Sequence, residues 1–297
     1  MRIDDLPQSD RIEDRRRGGL RGLPGGRGGL GIGTVVVLGL IGWALGIDPR
    51  LLIQGAETMT GNDNASQQTS AGSSGAPSDS MGHFVSAVLG STEVQWTAIF
   101  SQAGKRYEPP TLVMFSGATQ SGCGSAQSAM GPFYCPIDRK VYLDTSFFQD
   151  LERRFRGCDA GSKGCQFSQA YVIAHEIGHH VQNQLGLLSR VQEQQRGMDK
   201  AEANGLQVRV ELQADCLAGV WANRAEEKWR FIEPGDVEAA MQTASAIGDD
   251  RLQRQSQGYV VPDAFTHGTS AQRTRWFMAG LKSGEVGSCD TFRSSQL

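Results

Sequence analysis

Histidine is scarce, with five in 297 residues, and no two of the six cysteines are spaced as CxxC. The second absence argues against a four-cysteine zinc knuckle. Basic residues are not in excess either: the net charge is −3, and nothing in the composition suggests nucleic acid. Acidic residues are missing from Arg15 to Ile47, where Arg15, Arg16, Arg17, Arg21 and Arg27 punctuate a glycine-rich stretch that runs into eighteen uncharged residues, Leu30 to Ile47.

These gaps set out the first part of the chain. Residues 1–29 lack the apolar content of a core and are expected to be a disordered Arg/Gly-rich tail. Residues 30–47 reach the lower limit for a transmembrane helix. Five arginines and no acid lie just before that run, from Arg15 to Arg27, and Asp48, Glu57, Asp63 and Asp79 after it, with only Arg50 against them. The positive-inside rule then predicts a single-pass inner-membrane protein with a cytoplasmic N-terminus and a periplasmic or otherwise extracytoplasmic domain. A cleaved signal peptide is the alternative, since Ala44-Leu45-Gly46 loosely matches a cleavage site; the long leading segment and long apolar run favour an uncleaved anchor. Residues 48–82 are mostly small and polar and read as a flexible linker, which leaves one domain over 83–297.

All six cysteines follow the expected span, which suggests disulfides on an exported side. Proximity pairs Cys123 with Cys135 and Cys158 with Cys165, leaving Cys216 for Cys289.

Within the domain, apolar spacing predicts one or two helices over 84–103, with a break at Gly90-Ser91. Thr111 to Phe115 reads as a strand and residues 116–128 as loop. Residues 133–135 and 141–143 form a hairpin signature around a five-residue connection. Asp144 or Thr145 caps a helix carrying Phe147, Leu151 and Phe155. Further helices are expected from Ser168, over 208–222, from Asp236 after Pro234-Gly235, and after Thr269 or Ser270.

The helix from Ser168 carries the chemistry. It contains His175-Glu176-Ile177-Gly178-His179, an HExxH pattern. Residues four apart on a helix differ by about 40°, so His175 and His179 can hold two corners of one metal ion. Glu176 stands about 100° round from His175 and can reach a water on that metal without ligating it. Ile173, Ala174, Ile177 and Val181 make the girdle apolar, so the helix is buried and its polar residues need partners. A core helix with backbone-bonded histidines is the plainer reading.

Hydrolytic zinc takes three protein ligands, so a third is needed. His180 points about 100° away from His179 and reads as a surface or supporting residue. Glu211 and Asp215 interrupt the apolar helix over 208–222, four apart on one face. A metal relieves the cost of burying them, with Glu211 as third ligand and Asp215 accepting a hydrogen bond from one histidine. An acid pair on a solvated face, supported by Arg209 and Gln213, is the alternative.

Four separated motifs occur in order: GPFYCPIDRKVYLD over 131–144, HEIGHHVQ over 175–182, ELQAD over 211–215 and HGTSAQRTRWF over 267–277. From about residue 83 onwards the chain resembles the bacterial predicted neutral zinc metallopeptidase family. The HExxH with a helical ExxxD is also similar, more distantly, to gluzincins such as the CAAX-type and HtpX-type proteases. That resemblance implies an α+β class: a mainly helical zincin-like domain with a small antiparallel sheet, after one transmembrane helix and a disordered tether. It implies Zn²⁺ on His175, His179 and Glu211, and a catalytic His267 donating to the developing oxyanion. A surface-loop role for His267 stays open, as do Tyr134, Tyr142 and Tyr171 for the donor.

The expected function is a membrane-anchored zinc endopeptidase acting on polypeptides, with Glu176 as general base. A catalytically silent, zinc-stabilised binding or assembly module at the cell envelope is the alternative. The sequence points to no particular protein partner.

Overall fold

The computed structural model describes residues 1–16, 73–74, 77–153 and 163–297. In chain order the elements are β1 (Ile12–Asp14), β2 (Ser73–Ser74), α1 (Ser80–Gln102), β3 (Thr111–Phe115), β4 (Ala118–Ser121), β5 (Gly124–Gln127), β6 (Phe133–Cys135) and β7 (Lys140–Asp144), followed by helices only. These are α2 (Phe147–Arg153), α3 (Lys163–Gln184), α4 (Leu187–Gln195), α5 (Lys200–Trp229), α6 (Asp236–Ala246), α7 (Asp249–Gln257) and α8 (Ser270–Ser283). The α+β class holds.

Five strands form one sheet in the order β2-β1-β3-β7-β6. It is mixed rather than antiparallel, because β1, β3 and β7 run parallel while β2 and β6 run antiparallel to their neighbours. Strands β3 and β7 are covered on both faces, from Leu112 to Phe115 and from Val141 to Asp144. That is the burial expected of central parallel strands, whose sequence runs rather than alternates. The Gly/Ser-rich stretch expected as loop forms the separate hairpin β4–β5.

Helices α3 and α5 cross at the centre, and α8 lies along α5. Both contacts are close because a side chain is missing. A Cβ on Gly178 of α3 would sit 3.0 Å from the Ala214 carbonyl oxygen, and one on Gly280 of α8 would sit 1.9 Å from that of Cys216. Helix α1 is continuous through Gly90-Ser91, where a break was expected. Gly90 instead admits the Pro7–Gln8 backbone, since a Cβ there would meet the Pro7 oxygen at 2.3 Å.

That contact belongs to the largest correction. Residues 1–16, expected as disordered tail, are built into the domain. Ile12 is 1% exposed, and β1 pairs with Leu112 to Met114 on one side and Ser73 and Ser74 on the other. Lys140 Nζ lies 2.9 Å from Glu13, Ser86 Oγ donates to the Ser9 carbonyl, and the Met1 amine lies 3.0 Å from buried Asp236. A strand cannot share hydrogen bonds with a sheet across a bilayer. The folded domain includes residues 1–16, ahead of the start expected at 83. The expected span over 30–47 lies outside the described residues, as does the linker from 48 to 72; among the described residues no helix is long and apolar enough to cross a membrane.

Disulfides Cys123–Cys135 and Cys216–Cys289 are formed as expected. Cys165 is also disulfide-bonded. Its expected partner, Cys158, lies outside the described residues.

Candidate metal centre

Helix α3 begins at Lys163, one turn before the expected cap at Ser168. Phe167, Ala170, Tyr171, Ile173, Ala174, Ile177 and Val181 are all at most 2% exposed, so the helix runs through the core as its girdle required. His175 and His179 lie one turn apart with ring centroids 4.8 Å from each other. From α5, Oε2 of Glu211 comes within 3.2 Å of His175 Nε2 and 3.4 Å of His179 Nε2. The candidate ligand atoms of these three residues all lie within 4.8 Å of one another.

The other ring nitrogens decide what this cluster wants. His175 Nδ1 lies 2.9 Å from Asp215 Oδ1, and His179 Nδ1 lies 2.9 Å from Gln182 Oε1. The Gln182 amide is fixed in turn, because its Nε2 donates to the Val210 carbonyl and to Gln213 Oε1. Each Nδ1 thus carries the proton and each Nε2 presents a lone pair towards the Glu211 carboxylate. Three acceptors converging in a buried place repel one another unless a cation lies among them, so the donor set fits a divalent metal.

The electrostatics of the cluster favour a positive charge there, whether a proton or a metal ion. Burial pulls His179 down, but the Glu211 carboxylate outweighs it and raises the group to about 9. Burial pushes Glu211 up, yet the facing histidines hold it well below the usual carboxylate range. Glu176, 7% exposed, is pushed up chiefly by burial.

Asp215 is fully buried and held by a residue that spacing did not single out. Arg273 of α8 donates from Nε and Nη2 to the two carboxylate oxygens at 2.9 Å each. Tyr171 donates to Asp215 Oδ1 at 2.5 Å. Against the upward push of burial, Arg273 and His175 hold Asp215 at about 2. The signal was available: Arg273 shares the buried stripe of α8 with Trp276, Phe277 and Gly280, where an arginine needs a buried acid.

His267 stands just before the Thr269 capping box, as expected, and lines the same cleft. Its Nδ1 lies 3.2 Å from Asp249 Oδ1, while Asp249 Oδ2 accepts from the backbone N–H groups of Thr266, His267 and Gly268. The His267 side chain is half exposed to the cleft, and the facing Asp249 carboxylate raises its pKa. Asp249, too, carried no local signal. The three tyrosines are engaged elsewhere: Tyr142 donates to Asp138, Tyr171 to Asp215, and Tyr134 lies 3.0 Å from His180 Nδ1. His180 is not on the surface; it is 1% exposed.

Over residues 1–292 the sequence matches the family described as "Putative neutral zinc metallopeptidase". The chain belongs to this family. It is 45% identical over 304 residues to the Escherichia coli K12 protein YpfJ, itself named as uncharacterized, covering 99% of this chain and all of that one. It is 46% identical over 200 residues to the uncharacterized Mycobacterium tuberculosis H37Rv protein Rv2575, covering 64% of this chain and 65% of that one. No solved structure matches. Zinc is the metal that membership assigns, and His175, His179 and Glu211 are the group that could hold it. The family match begins at residue 1, in keeping with β1 being part of the sheet.

The centre opens into a cleft of about 1000 Å³. Its walls include Phe133 and Tyr134 of β6, Phe147 of α2, and Leu188 and Val191 of α4. Apart from Glu176, Glu211, Arg273 and the three histidines, every described residue lining it is uncharged.

Proposed function

We propose that this protein is a zinc-dependent endopeptidase that hydrolyses extended polypeptide segments, with Glu176 as general base. The observation that carries the reading is a buried set of three protein ligands, with Glu176 beside it, at the floor of an open cleft. Structural zinc is closed by four protein ligands; three leave a position for water. Zinc held there would lower the pKa of a water and polarise a carbonyl. Glu176 takes the proton of the attacking water and returns it to the leaving amine; burial favours its proton-holding form, which suits a group that must do both. His267, its Nδ1 held by Asp249, is the donor best disposed towards the oxyanion, because the neighbouring tyrosines are committed to other acceptors.

Strand β6 is the last strand of its sheet and lines the cleft, so an extended peptide can add to it through main-chain hydrogen bonds. Uncharged walls fit neutral and apolar side chains around the scissile bond. The disulfides favour an oxidising compartment, and residues 30–47 supply apolar surface for membrane attachment, with residues 1–16 and the domain on the same side.

The test is zinc content and cleavage of an unfolded protein by the full chain, beside Glu176→Gln. One zinc per chain in both, with cleavage reduced about 10²–10⁴-fold in the variant, supports the reading. Zinc binding without cleavage of any peptide by the wild type rejects it in favour of a silent binding module.

A further inference from the structure

The residue after the second metal-ligand histidine does something the metal does not require. His180 is rotated about 100° from His179 along α3, so it faces the sheet side of the helix while its neighbour faces the metal. It is 1% exposed, and both ring nitrogens are occupied. Nε2 lies 2.7 Å from the Glu108 carbonyl oxygen, a partner that only an N–H can satisfy. Gln184 Nε2 lies against both that nitrogen and the same carbonyl. On the opposite edge of the ring, Nδ1 lies 3.0 Å from the Tyr134 hydroxyl. The Tyr134 oxygen in turn receives Asn183 Nδ2 at 2.8 Å, and the same amide reaches the Pro136 carbonyl at 3.3 Å. The rings of Tyr107 and Tyr134 pack edge-on against the imidazole, with centroids 5.7 and 5.3 Å away.

Tyr134 is the middle residue of β6, the strand that forms the wall of the cleft. Its strand is short, with three residue pairs to β7 on one side and none on the other among the described residues. So small an edge needs a second attachment to hold a fixed distance from the metal helix. The Cys123–Cys135 disulfide ties β6 to the β4–β5 turn, not to α3. The tie to α3 runs through His180 and Asn183.

We propose that His180, with Asn183, is a positioning residue: it sets the gap between the metal-binding face of α3 and the edge strand on which the peptide lies. Two consecutive residues of one helix then locate the two things a peptidase must hold in register, the hydrolytic centre through His179 and the substrate main chain through His180. The proposal rests on the endopeptidase reading. Loosening β6 leaves His175, Glu176, His179 and Glu211 in place, so it weakens peptide binding rather than the chemical step.

The experiment compares His180→Leu, His180→Gln and Tyr134→Phe in the full, zinc-loaded chain. Leucine removes both hydrogen bonds, whereas glutamine keeps one donor and one acceptor. His180→Leu is expected to raise KM about tenfold with kcat changed no more than about twofold and zinc content unchanged, and His180→Gln to recover most of the loss. Tyr134→Phe, which removes one oxygen and tests the idea if His180→Leu does not fold, is expected to raise KM by about threefold and to add nothing in the His180→Leu background. An unchanged KM in Tyr134→Phe, or a fall in kcat without a rise in KM, overturns the proposal. If the zinc-loaded wild type cleaves no peptide, the endopeptidase reading fails separately. Amide exchange at Phe133–Cys135 then decides: faster exchange in Tyr134→Phe supports the tie, and equal exchange overturns it.

Discussion

Asp215 Oδ1 lies 2.9 Å from His175 Nδ1, and Glu211, one turn earlier on the same helix, faces Nε2 of that imidazole at 3.2 Å. A single turn of α5 therefore grips one ring from both of its nitrogens. The orientation of His175 follows from helix geometry, and Asp215 supplies the charge that keeps the proton on the side away from the metal.

Asp215→Asn keeps the shape and removes the charge. Zinc affinity is expected to fall about 10–100-fold, the usual effect of losing a carboxylate behind a ligand histidine. Competition against a chelator of known affinity measures it. An unchanged affinity would mean that packing alone orients the ring.

Arg273→Leu leaves Asp215 ionised in the core without its buried cation, held only by Tyr171 and His175. Breaking a buried pair in this way costs about 3–5 kcal/mol, against about 1.5–3 kcal/mol for the hydrogen bonds to Asp215 and Arg273 lost in Tyr171→Phe. Urea unfolding of both variants separates the cases. Equal losses would show that the bidentate pair is not what supports Asp215.

The metal ligands were legible because they are local: His175 with His179, and Glu211 with Asp215, each obey a four-residue helical spacing that sequence displays directly. Arg273 and Asp249 were not legible as partners, because each works across a fold. Arg273 meets Asp215 from 58 residues away, and Asp249 meets His267 from 18. Strand β1 was missed for another reason. Three residues beside an arginine- and glycine-rich run carry too short an alternation to register, and only the partners, β2 and β3, make them a strand. Gly90 shows the opposite error, a glycine read as a break where it admits another backbone.

Zinc removal should destabilise the fold, because a metal held by the native state alone adds its binding free energy to stability. Added zinc at about 100 times its Kd is expected to contribute about 2.7 kcal/mol to unfolding free energy, and chelation to remove it. Melting scans at graded free zinc test this; a melting temperature indifferent to zinc would count against the site.

The Asp249–His267 pair predicts a pH window. Asp249 is held below 3.8 in the fold, so its contribution is present above that pH and is lost as pH falls through its folded value. His267 is raised above 6.5, so its contribution is present below 6.5 and is lost as pH rises through its folded value. Stability from the pair is therefore greatest between the two. Chemical denaturation from pH 3 to 9 should show a flatter profile in Asp249→Asn than in the wild type, and matching profiles would exclude the pair as a contributor.

Sidedness follows from the sheet. Single cysteines placed at exposed Asp5 and Arg106 should be labelled by a membrane-impermeant maleimide from the same side of a sealed vesicle. Labelling from opposite sides would be incompatible with β1 lying between β2 and β3.

The position of β1 also imposes an order on synthesis. Ile12 to Asp14 leave the ribosome before the strand they pair with in parallel, Thr111 to Phe115, which follows about 100 residues later, about 5–20 s at the usual pace of translation. Throughout that interval the nascent chain carries Leu6 and Ile12 with nothing to cover them. An early-made strand waits for its neighbour, and the sheet closes only once both have been made.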